Sequence, residues 1–309
     1  MDLWGNELEK KPIEINVYAD EIISKKCPYL NNNWHYIGII VEDLKQPLLK
    51  DVLAARHCNN FDINSPFYKK NNRPVHWADI SSADEKNICK RWFQYILNPS
   101  TSSKKFYGYI LGINDNNLNK EEFDPENNFN SKYNRFFRSS IKYALKCFFG
   151  NNKILIKNIY HEQGQQQLHE YFPWHTIHTL QQEEHNFHFE KNEIEFLPKD
   201  LKLDERSNLI QLCDCFMGAT TNIIHGFEIS NRAKYRIELL DIIFPLVKRM
   251  IHEPNNKNSS YLHSNRIMIR FFPKERTDLG DSKRYMNQFY NVRKLKYQDD
   301  KLGQQSFSF

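Results

Sequence analysis

The sequence predicts an α/β fold, a mixed five-stranded sheet flanked by helices, with a C-terminal helical and extended extension. Three observations predict it. Strand-length runs with alternating or continuous apolar character recur along the chain, helical stretches with one apolar face separate the later runs, and turn-forming residues lie between them. The first strand is Ile13–Asp20, where Ile13, Ile15, Val17 and Ala19 alternate with Glu14, Asn16, Tyr18 and Asp20. Trp34–Val41, nearly all apolar or aromatic, is the second, and Phe106–Ile113, closed by Asn114-Asp115-Asn116, is the third.

Helices are expected between the second and third strands, over Lys45–Cys58 and Asp84–Leu97. Ser81 or Ser82 can cap the latter, and Ile88, Trp92, Phe93 and Ile96 share one of its faces. Ser131–Phe149 reads as a basic amphipathic helix ended by Gly150, and Lys153–Tyr160 as the fourth strand. A helical segment over Gln165–Gln182 is broken at Pro173, and short strands are expected at Phe187–Phe189 and Glu193–Leu197. Helices at Ser207–Ile224 and Lys234–His252 precede an extended run, Arg266–Phe272. The first three strands suit an antiparallel meander, and the helix-linked fourth and fifth suit parallel crossovers. One domain is expected over residues 1–230, with a helical insertion at about 45–100, followed by a C-terminal helix and basic extension over 231–309.

The 309 residues are 40% hydrophobic and rich in aromatics, with 22 Phe, 16 Tyr and 5 Trp, enough to bury one substantial core. That aromatic content argues against disorder despite Asn runs such as Asn31-Asn32-Asn33. No stretch approaches the length of a membrane helix, so no membrane partner is expected. Met1–Gly5 lacks a basic-then-apolar signal pattern, and of the six cysteines only Cys213 and Cys215 are close. With no second pair to complete a zinc site, reduced thiols in a cytoplasmic protein are expected. Net charge is +5, and Lys248–Lys301 holds 13 Lys or Arg against 6 Asp or Glu, a stretch suited to a polyanion.

Four acidic residues draw attention. Asp20-Glu21 ends the predicted first strand, where two adjacent carboxylates need compensation such as a divalent cation. Asp214 lies in an apolar helix, on a stripe with Gln211, Gly218 and Thr221 set apart from the face of Leu209, Leu212, Cys213 and Phe216. His161-Glu162 ends the fourth strand. If strands one and four are parallel neighbours, Glu162 comes near Asp20 and Asp214 reaches in from the later helix. Asp20, Glu162 and Asp214 are thus the expected ligands for Mg²⁺ or Mn²⁺, with Glu21 at the rim. His76, in Pro74-Val75-His76-Trp77, is a candidate to position a phosphate or shuttle a proton. The series His161, His169, His175, His178, His185 and His188 matches no established zinc spacing.

Val17-Tyr18-Ala19-Asp20-Glu21 resembles the opening strand of the family catalogued as domain of unknown function 3800, usually written Tyr-Ile-Asp-Glu-Ser-Gly. The helix from Leu209 to Ala219 is similar to that family's Leu-Gln-hydrophobic-Ala-Asp-hydrophobic-hydrophobic-Gly motif, and Val75-His76-Trp77 to its His-containing element. The resemblance covers roughly Ile13 to Ile224. It implies a ribonuclease-H-like fold, Asp20, Glu21 and Asp214 as metal-site residues, and a place among mobile elements and antiviral loci. The chain departs from the pattern at Ile22-Ile23, which replaces Ser-Gly, and at His161-Glu162, where the family tends to place Asp.

The resulting expectation is a divalent-metal-dependent nuclease acting on RNA or DNA, an effector of an antiphage or toxin-like system with a protein partner there. The catalytic set would be Asp20, Glu21, Glu162, Asp214 and His76. The alternative is a non-catalytic nucleic-acid-binding or scaffolding subunit that keeps the fold.

Overall fold

A computed structural model of the chain describes residues 11–26, 33–98, 106–123, 129–164, 167, 172–198, 204–225, 234–252 and 263–273. Strands β1 (Ile13–Lys26) and β2 (Asn33–Asp43) come first, then helices α1 (Leu49–His57), α2 (Pro66–Asn71) and α3 (Ala83–Leu97). Strand β3 (Tyr107–Asn114) leads to the one-turn α4 (Lys120–Phe123), the long α5 (Phe129–Phe149) and β4 (Ile154–Glu162). After α6 (Phe172–Glu183) come the short β5 (Phe187–Phe189) and β6 (Ile194–Leu197). Helices α7 (Ser207–His225) and α8 (Lys234–His252) precede β7 (Ile267–Phe272).

The sheet is mixed, as expected, but has seven strands rather than five. Its order is β5-β4-β1-β2-β3-β7, with β6 also paired to β4. The two short runs between α6 and α7 pair with successive halves of β4, and the C-terminal run closes the other edge alongside β3. Their small size hides how much ladder they add, because a strand's worth depends on partners far away in sequence. The pair β1–β2 and the pair β2–β3 are antiparallel, while β4 runs parallel to β1, and β7 parallel to β3. The division expected near residue 230 falls at 226–233, outside the described residues.

Strand alternation divides the core between two faces. Ile15, Val17 and Ala19 of β1 and Ile37, Ile39 and Val41 of β2 pack under α5 and α6, with Phe136, Phe137, Ile141 and Leu145. Tyr18, Tyr36 and Ile40 point the other way, toward α3, α7 and α8. α3 starts on a complete capping box between Ser82 and Glu85, and its expected face, Ile88, Trp92, Phe93 and Ile96, is buried. α7 is the central helix of its layer: of its 19 residues, Asp214 alone is not buried.

The helix expected over Lys45–Cys58 is shorter and stops at Cys58, whose left-handed φ of 50° ends α1. Its N-terminus is held by Glu42, which accepts from the Leu48 and Leu49 N–H groups at 2.8 and 2.9 Å. Of the segment expected over Gln165–Gln182, residues 165, 166 and 168–171 lie outside the described residues, and in α6 Pro173 sits in the first turn, where the missing N–H does no harm. No helix among the described residues is long and apolar enough to cross a membrane. Cys58, Cys89, Cys147, Cys213 and Cys215 are free thiols; Cys27 lies outside the described residues. Of the basic stretch Lys248–Lys301, only 248–252 and 263–273 are described.

Candidate functional site

Two glycines and one strand irregularity assemble the acidic cluster. Gly38 of β2 is the partner of Asp20 across the β1–β2 ladder. A Cβ there would stand 2.8 Å from Cys213 Sγ and 3.2 Å from Met217 Sδ. The missing side chain lets α7 lie close on the sheet, directly over Asp20. β1 does not stop at Asp20-Glu21, as expected, but continues to Lys26 because β2 still pairs with it. What ends there is the partnership with β4, whose last register pair is Ala19 with His161.

That register carries a bulge. Ile15 faces Ile156, but Asn16 faces Asn158, so Lys157 is an extra residue on β4. Without it, His161 would stand level with Asp20. With it, Glu162 takes that place, and the side chains of Asp20 and Glu162 fall on the same face of the sheet as α7. Asp20 is 2% exposed, and its carboxyl is hydrogen-bonded to Glu162. Burial, then the charges of Glu162, Asp214 and Glu21, hold its pKa well above the usual carboxylate range. Burial above all, with the neighbouring Asp20 and Asp214 carboxyls, pushes the thiol of Cys213, which lies between Gly38 and this cluster, well above its usual range.

Asp214 is positioned from the opposite side. Its Oδ2 accepts the Trp77 N–H at 2.8 Å and lies 3.5 Å from His76 Nδ1. Gly218, one turn along α7, leaves room for the Trp77 indole: a Cβ at 218 would come within 2.3 Å of two of its atoms. The space above Gly218 is thus filled by Trp77. Gln211, Asp214 and Gly218 of the α7 stripe face the 74–79 segment. Gln211 Oε1 accepts from Val75 N–H at 2.9 Å and from Arg56 at 3.3 Å.

Arg56 gave no signal in the sequence, yet it is fully buried and ties this side of the site together. It donates to the Asn71 carbonyl at 2.8 Å, to Asn208, to Gln211 and to the Arg73 carbonyl. Burial, the largest cause, pulls its pKa down to about 9. Arg91 adds bonds to the Ala55 and Arg56 carbonyls and to Asn71 Oδ1. Together they fasten the chain just before His76 onto α1, α3 and α7.

Glu21 is not at the rim. As the next residue along β1 it points to the other face, where its side chain is 10% exposed and its Oε2 lies 3.3 Å from His161 Nε2. His161 Nδ1 donates to the Glu162 carbonyl at 2.7 Å, which leaves Nε2 to accept from Tyr133 Oη at 2.6 Å. Burial lowers the His161 pKa to about 4, so the ring is neutral. The structure thus brings together Asp20, Glu162, Asp214 and His76 on one face, and Glu21, His161 and Tyr133 behind them. The remaining histidines of the His161–His188 series contribute to no metal-binding group among the described residues; His169 lies outside them.

The donor atoms facing one another are all carboxylate oxygens, a set suited to a hard cation. As they stand they are engaged with each other and with Trp77, and no group of three His, Cys, Asp or Glu residues is already disposed to hold a metal ion among the described residues. Comparison with family models, with curated proteins and with solved structures returned no match.

Proposed function

We propose that this chain is a divalent-metal-dependent nuclease with a ribonuclease-H-like core, in which Asp20, Glu162 and Asp214 hold Mg²⁺ or Mn²⁺. The observation that carries the reading is the place of Asp20: a carboxyl buried on a central strand, hydrogen-bonded to Glu162 and crowded by Asp214 and Glu21. Such crowding destabilises the fold unless a cation relieves it, and structural needs alone would be met by an apolar residue. The order β3-β2-β1-β4, antiparallel for the first three strands and parallel for the fourth, supports the ribonuclease-H-like reading. So do the motif resemblances around Asp20, His76 and Asp214. Membership of a defence system and a partner there rest on that resemblance alone.

A cation bound at this site would supply an activated water and charge stabilisation for a leaving oxygen. The chain's own residues do the rest. Trp77 N–H donates to Asp214 and the His76 ring lies beside it, and in this reading the second ring nitrogen of His76 would orient a phosphate or take up a proton. In phosphodiester hydrolysis water adds to phosphorus, the P–O ester bond breaks, and the leaving oxygen gains a proton.

The second reading, a non-catalytic nucleic-acid-binding subunit, is favoured by the lack of a ready-made ligand group among the described residues. Incubation with labelled RNA and DNA, single- and double-stranded, in Mg²⁺, Mn²⁺ or EDTA separates the two. The nuclease reading expects cleavage with metal that is lost in Asp20→Asn. Absence of cleavage in every combination, with no metal binding by calorimetry, leaves only the subunit.

A further inference from the structure

Among the described residues, five large hydrophobic side chains are exposed, and three of them lie within seven residues. They are Phe61, 53% exposed, Ile63, 64%, and Phe67, 38%. Phe61 and Ile63 sit on the loop from α1 to α2, which local bonds shape, and Phe67 lies in the first turn of α2. Asp62 N–H donates to Asn60 Oδ1 and Asn64 N–H to Asp62 Oδ1, while Ser65 caps α2 by accepting from Tyr68 N–H. Beneath it His57 stacks on Tyr68, with ring centroids 4.2 Å apart and planes 10° from parallel. Phe61 rests one side of its ring near His57, with centroids 6.2 Å apart, and leaves about half of its surface open.

Cations follow the aromatics directly. Lys69 and Lys70 are exposed and Arg73 is half-buried, while Asp62 is the one acidic residue between His57 and His76. Asp84 pairs with Lys70 at 2.8 Å and with Arg73 at 3.8 Å, one carboxylate for two cations. Only Pro74 and Val75 separate Arg73 from His76, a span of at most about 11 Å. The aromatic and basic surface therefore leads straight to the Asp214 side of the acidic cluster.

We propose that residues 59–73 form a landing surface for single-stranded nucleic acid, with bases stacking on Phe61 and Phe67 and phosphates meeting Lys69, Lys70 and Arg73. The inference rests on the nuclease reading of the site and adds its substrate class. Exposed rings alternating with cations suit a strand whose bases are free to stack. In a duplex the base faces are already stacked on one another, so a flat aromatic has nothing to cover.

The test uses the full chain with fluorescein-labelled oligouridylate and oligothymidylate, read by fluorescence anisotropy in EDTA, with duplex DNA for comparison. Phe61→Ala with Phe67→Ala should weaken single-strand binding on the order of tenfold or more, and Trp at both positions should restore it. Lys69→Gln with Lys70→Gln should weaken binding and flatten its salt dependence. Unchanged affinity in the double Phe variant overturns the inference, as does a wild type that binds neither oligonucleotide or prefers duplex. A double Phe variant that alters only the oligomeric state, by light scattering, identifies a protein interface instead. Single-strand binding that depends on Phe61 and Phe67 without any metal-dependent cleavage would refute the nuclease reading and leave this surface standing. Metal-dependent cleavage of bis(p-nitrophenyl) phosphate without such dependence would do the reverse.

Discussion

The Trp77 indole occupies the volume that a side chain at Gly218 would need, and the same residue's N–H donates to Asp214 one turn away on α7. Trp77 is thereby both wedge and clamp: its packing sets the height of the 74–79 segment, and its backbone fixes the carboxylate. Gly218→Ala should expel the ring, at about 1–3 kcal/mol for overpacking. Denaturant unfolding should record that loss, and Trp77 fluorescence should shift toward that of an exposed indole. An alanine variant of wild-type stability would mean the ring is not held against α7.

Asp214→Asn should abolish metal-dependent cleavage while nucleic-acid binding stays nearly intact. Asn still offers Oδ1 to the Trp77 N–H, but it lacks the charge a hard cation requires. Without metal the variant should be at least as stable as the wild type, since one of the charges pressing on Asp20 is gone. Cleavage at the wild-type rate would remove Asp214 from the catalytic set.

Asp20 makes stability depend on pH at the basic side. Its folded pKa lies well above that of an unfolded aspartate, roughly 3.9. A group so shifted contributes stability that is full below the unfolded pKa and is lost as pH rises through the folded one. Metal-free protein should therefore lose thermal stability as pH is raised above about 4, and Asp20→Asn should flatten that limb. Saturating Mg²⁺ should raise the melting temperature of wild type at alkaline pH and leave the variant unmoved. Superimposable pH profiles for the two proteins would show that Asp20 does not titrate abnormally.

His161 acts on the acid side. With its pKa pulled to about 4 by burial, against roughly 6.5 when unfolded, it favours the folded state fully above the unfolded value. That contribution is lost as pH falls from about 6.5 through 4, by about 3 kcal/mol. His57 and His263, each also lowered to about 4 chiefly by burial, act in the same direction. His161→Gln, which keeps a donor for the Glu162 carbonyl, should reduce the acid slope without abolishing it. A slope equal to wild type would place the acid transition on the other two histidines.

Most of the longer elements and the two strongest acidic candidates are legible in the chain, because their signals are local. Alternation in Ile13–Asp20, the Ser82–Glu85 cap of α3 and the one polar stripe on the apolar α7 are properties of neighbouring residues. They also made Glu162 a candidate, through the simple expectation that β1 and β4 lie side by side. Tertiary structure decided the rest. A bulge at Lys157, invisible in the pattern of β4, makes Glu162 and not His161 the neighbour of Asp20. The role of Gly38 depends on a helix some 175 residues later, and that of Gly218 on a Trp some 140 residues earlier. Arg56 sits in a helix with no marked apolar stripe, and only its buried acceptors, on segments far along the chain, reveal why it is there. Strand alternation alone turns Glu21 away from Asp20, but that His161 and Tyr133 meet it there follows only from packing. Side-chain chemistry can be read residue by residue, but proximity between distant segments is fixed by register and packing, which only the folded chain defines.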